Sequence, residues 1–135
     1  MKTLQIPKTT LLVALIALTV ACGYSSPATT PPVAGSVPTI SQLSPNSATA
    51  GGAAFTMTVN GTNYGTKAVV NWNGAAQPTT YVTGQQLTIS VPASAIATAT
   101  SITVTVTNPA TVGKGTYGGG GTLAETSSPM SFTVN

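Results

Sequence analysis

The chain has 135 residues, with four lysines, one acidic side chain, no histidine and a formal net charge of +3. That length leaves room for one domain. So few ionisable groups exclude paired-carboxylate, Ser-His-Asp and clustered-metal chemistry before any motif is read.

The chain opens with Lys2 and Lys8 in a stretch without acids, followed by Leu11-Leu12-Val13-Ala14-Leu15-Ile16-Ala17-Leu18-Thr19-Val20-Ala21 and then Cys22. A basic start, an apolar run of about a dozen residues and a small residue before the cut make residues 1–21 a secretory signal peptide. The run is shorter than the ~20 residues a helix needs to cross a bilayer. Leu18-Thr19-Val20-Ala21-Cys22 resembles the lipobox of bacterial lipoproteins, although Thr19 stands where that family prefers Leu, Val or Ile. Ordinary cleavage after Ala21 is the competing reading. Cys22 is the only cysteine, and exported proteins usually pair their cysteines in disulfides. Lipidation of Cys22 accounts for it. The resemblance implies two or three acyl chains (palmitate among them) on that residue and so a membrane anchor, since one chain alone binds only marginally. Gly23 in place of Asp implies the outer rather than the inner membrane.

Removing the signal leaves Lys67, Lys114 and Glu125 as the charged side chains, a net charge of +1. A phosphate-binding surface needs clustered Lys or Arg, so nucleic acid is not an expected partner. Residues 22–38 carry the lipidated Cys22 and a stretch rich in Pro, Ser and Thr. Such a stretch reads as a flexible linker able to hold the domain up to about 50 Å from the lipid.

From Thr39 to Asn135, apolar residues recur with period two. The inward sets are Phe55, Met57 and Val59; Ala68, Val70 and Trp72; Leu87, Ile89 and Val91; Ile102, Val104 and Val106; and Met130, Phe132 and Val134. Turn signals separate them: Pro45-Asn46-Ser47, Gly51-Gly52, Asn60-Gly61, Asn73-Gly74, Thr83-Gly84 and Asn108-Pro109. No segment carries a helical apolar stripe. The expectation is an all-β sandwich of about seven strands.

The order and spacing of Pro38-Thr39-Ile40, Ser44-Pro45, Phe55-Thr56-Met57-Thr58-Val59-Asn60-Gly61-Thr62-Asn63-Tyr64, Val70-Asn71-Trp72-Asn73-Gly74, Leu87–Pro92 and Ile102–Pro109 resemble an IPT/TIG domain. This is the immunoglobulin-like module of plexins, Rel-type transcription factors and many bacterial surface proteins. The resemblance implies an immunoglobulin-like fold over nearly all of the chain after the signal. One departure is residues 110–128, with Gly118-Gly119-Gly120-Gly121, where the family returns to its last strand sooner. The glycines favour mobility there.

No catalytic constellation survives inspection. A Ser–Lys dyad would need a desolvated lysine, and both Lys67 and Lys114 fall in Gly/Thr-rich turns. Gly113-Lys114-Gly115-Thr116 lacks the first glycine and the Ser/Thr of a phosphate loop. No metal or other cofactor is expected. Trp72 shares parity with Val70 and reads as core; Tyr117, in the inserted loop, is the aromatic expected to be exposed for contact. The reading is a non-catalytic cell-envelope lipoprotein whose module mediates protein interaction or has a structural role. The alternative is a carbohydrate-binding accessory module, which coplanar exposed aromatics would favour.

Overall fold

The period-two pattern resolves into two packed sheets in the structure, a computed structural model that describes residues 30–114 and 119–135. One antiparallel sheet has the order β1 (Thr39–Ser44), β3 (Phe55–Thr62), β7 (Gln86–Val91), β6 (Thr79–Thr83). The second has the order β2 (Ser47–Ala48), β10 (Met130–Val134), β8 (Thr100–Asn108), β4 (Val69–Trp72), β5 (Ala75–Ala76). A tenth piece, β9 (Glu125–Thr126), also pairs with β8. Seven of these strands have four residues or more, the number the alternation predicts. A 3₁₀ turn over Ala93–Ile96 joins β7 to β8 across the sandwich and buries Ile96.

Registers explain why the inward sets meet. Met57 stands opposite Ile89 and Val59 opposite Leu87, while Val70 faces Val106 and Trp72 faces Val104. All eight are buried. Phe132 lies between the layers, stacked on Phe55 at a centroid distance of 5.8 Å and tilted against Trp72 at 5.0 Å. Burying side chains of this size contributes about 1.5–3 kcal/mol each relative to leaving them in water. Outward positions are hydroxyls and amides. Asn71 ties two of them together, its Nδ2 donating to Oγ1 of Thr105 and Thr107 at 3.2 and 3.0 Å.

Two local features set the ends of the second sheet. Asn73 (φ 50°) and Gly74 (φ 82°) form the two-residue turn between β4 and β5, where both central residues need positive φ. Along β8, the edge formed by β9 and β10 is interrupted at Ser127-Ser128-Pro129, and Pro129 has no N–H for a ladder. Ser127 spans the gap: its N–H donates to the Val106 carbonyl at 2.8 Å, and its Oγ accepts from the Val106 N–H at 2.9 Å. This explains why Ser127 is the one buried polar side chain among the described residues.

Of the linker expected over residues 22–38, residues 30–38 are among those described. From Thr30 onward it is laid against the domain, with Val33 in a parallel bridge to Thr122 and Pro38 fully buried. Backbone hydrogen bonds join Thr30 to Gly120 and Val33 to Gly121 and Leu123.

Candidate interaction groove

The end of the sandwich where β3 and β8 finish is organised by two asparagines. Asn63 adopts φ 60°, a conformation asparagine tolerates, and turns the chain out of β3. Its Nδ2 donates to the Val37 carbonyl at 3.2 Å. Asn108, the last residue of β8, uses its whole amide. Nδ2 donates to the carbonyls of Ser36 and Asn63, both at 2.8 Å, and Oδ1 accepts the Gly65 N–H at 2.9 Å. One side chain thus joins the incoming segment, the turn after β3 and the end of β8.

Tyr64 sits beneath this junction, 4% exposed, and its hydroxyl has no hydrogen-bond partner among the described residues. Desolvation pushes its pKa from 10.0 up to about 12. Gly61 makes room for the ring: a Cβ there would strike the Tyr64 hydroxyl and the Thr39 carbonyl oxygen.

Beside the asparagines, the insertion folds back on itself and on the incoming segment. Thr111 and Thr122 form an antiparallel bridge, with their Oγ1 atoms 2.9 Å apart. Val33 donates to the Gly121 carbonyl and accepts from the Leu123 N–H, both at 2.9 Å. Glycine is required for these approaches. A Cβ on Gly121 would strike the Thr111 carbonyl oxygen, and one on Gly35 would come within 2.6 Å of the Leu123 carbonyl oxygen. In the described part of the insertion, glycines permit close backbone packing.

Between these walls lies a groove of about 700 Å³ whose lining includes Asn63, Lys67, Asn108, Val112, Lys114 and Leu123. Lys67 and Lys114, far apart in sequence, thus share one site. The other charged side chain of the described residues, Glu125, packs near Gly35 and does not line the groove. Among the described residues no group of three or more His, Cys, Asp or Glu could hold a metal ion. The arrangement offers amide hydrogen bonds, two cations and aliphatic contact.

The residues singled out in the sequence fall in different places. Trp72 is buried in the core, Tyr64 is buried under the groove, and Tyr81 is 38% exposed on β6 at a sheet edge. Cys22 and Tyr117 lie outside the described residues. Sequence reasoning missed Asn63 and Asn108 as a structural pair, although Asn108 falls in a flagged turn and Asn63 in the family-like motif.

Two stacked sheets, one antiparallel and the other antiparallel except where β2 runs parallel to β10, are joined across the sandwich, carry their irregular segments at the ends and define an immunoglobulin-like domain. A family model described as IPT/TIG domain matches residues 38–124, and the chain belongs to that family. The match stops before β9 and β10, which complete the second sheet here. Comparison with curated proteins and with solved structures finds no match.

Proposed function

We propose that this protein is a non-catalytic interaction module, displayed from the cell envelope by lipid on Cys22, that contacts a partner protein through the groove beside Asn108. The observation that carries the reading is the groove's construction. It is walled by the incoming segment and the insertion, neither of which supplies the sandwich core, and both lysines and two exposed aliphatic side chains are gathered there. The immunoglobulin-like family supports protein interaction as the general role. The carbohydrate alternative is less well supported, because Tyr81 is the one exposed aromatic among the described residues and has no coplanar neighbour of its kind.

A photo-crosslinking residue placed at Val112 in living cells should give a discrete adduct, whereas the same residue at Ser131 on the outer face of β10 should not. Equal adducts at both positions, or none at Val112, would remove the groove from the proposal. Intact-mass measurement of the protein from its own membranes should give Cys22 bearing acyl chains; a free thiol there would end the anchor.

A further inference from the structure

We propose that the groove receives an extended segment of a partner polypeptide in which carboxylates sit beside aliphatic side chains, with Lys67 and Lys114 meeting the carboxylates. This rests on the reading of the domain as an interaction module and names the chemistry of its partner.

The positive charges of the described residues are both on the groove, and no carboxylate side chain lines it. Glu125 packs behind Gly35 at the groove's edge, so two cations stand against one acid there, and the net positive charge gathered in a concave site draws anions. Apolar surface is concentrated there as well. Val112, 89% exposed, and Leu123, 50% exposed, line the groove, and Val33, 59% exposed, flanks it through its backbone pairing with Leu123. Clustered exposed aliphatics of this kind mark contact surfaces rather than scattered surface residues. An anion alone would use the lysines and leave the valines and leucine in water. An apolar segment alone would leave the lysines without partners. A segment carrying both satisfies both.

Other occupants fit less well. In a second copy, Glu125 is the one acidic side chain of the sequence, and it is held in β9. Two lysines are too few for a nucleic-acid backbone. An anionic glycan would match the charge, but Tyr64, the aromatic among the described lining residues, is buried and presents no face for stacking.

The full-length chain is titrated with a fluorescent peptide of alternating leucine and glutamate, with its leucine–glutamine counterpart, and with polygalacturonate. The glutamate peptide should bind, weaken as salt is raised, and bind at least about five-fold more tightly than the glutamine peptide, the scale expected of two exposed ion pairs. Lys67→Gln combined with Lys114→Gln should remove that difference. Val112→Asp should weaken the glutamate peptide by a similar factor, and Ser131→Asp should leave it unchanged. All four positions are exposed, so the variants are expected to fold. Equal binding of the two peptides, an unchanged affinity in the lysine variant, or binding of polygalacturonate alone would overturn the proposal. If neither peptide binds while Val112 still crosslinks in cells, the partner chemistry is wrong and the interaction module stands.

Discussion

The sandwich and the groove at its end are held together by different means. In the sandwich, each strand contributes alternate apolar side chains to one continuous core, and the register aligns them. At the groove, few large side chains are buried. Cohesion comes from backbone pairing between segments, from glycines that let backbones touch, and from the amide of Asn108. Apolar burial is cooperative, so the sheets should open together. Hydrogen bonds near solvent contribute less and can open locally. The comparison predicts a rigid body with a separately adjustable end.

The largest test is Phe132→Ala. Removing the ring that touches both Phe55 and Trp72 should cost about 3–5 kcal/mol in denaturant unfolding, with the whole domain lost in one transition. Asn108→Ala comes next, at about 1–2 kcal/mol, because three hydrogen bonds disappear and water reaches the two exposed carbonyls more readily than the part-buried Gly65 N–H. A change of only a few tenths would mean that the groove is not tied to the sheets through that residue.

Tyr64→Phe should be neutral or slightly stabilising near pH 7, within about 1 kcal/mol, since it removes a buried hydroxyl that has no partner among the described residues. Its signature lies at high pH. Unfolded tyrosine ionises near 10.0, while the folded residue stays neutral to about 12. The unfolded state therefore loses its proton first, and stability falls as pH rises through that window, by on the order of 2 kcal/mol. The phenylalanine variant should lack that part of the decline in a series of unfolding curves. Gly121→Ala is the smallest in global terms, below about 1 kcal/mol, yet amide exchange at Val33, Thr111 and Leu123 should quicken. If exchange quickens equally in β3 and β7, the two regions are one cooperative unit and the contrast fails.

What could be read in advance follows the same division. Every inward set from Phe55 to Val134 was visible because strand parity is a local property of the sequence. The Asn73-Gly74 turn was visible because its residue types match the positive φ required. Ser127 was not, since it fills a break in its own edge by bonding a partner strand 21 residues upstream in sequence. The pairing of Val33 with Gly121 and Leu123 was hidden for the same reason. Proline-rich composition favours extension but does not say whether an extended segment stays in water or joins an edge. Asn108 could be flagged only as a turn residue and Asn63 only within the family-like motif, because a bond between positions 45 apart leaves no trace in spacing.

The pairing of Val33 with the insertion also has a mechanical side. Any pull arriving from upstream of Thr30 meets that small ladder before it meets β1. Tension would part Thr30 from Gly120 and then peel Val33 from Gly121 and Leu123, dismantling one wall of the groove while both sheets stay intact. The eight steps of chain from Cys22 to Thr30 reach at most about 28 Å, so a domain fastened at Cys22 is held on a short leash. Small separations between the anchoring surface and whatever occupies the groove would then be felt at the ladder, and the site would release under strain well before the domain unfolds.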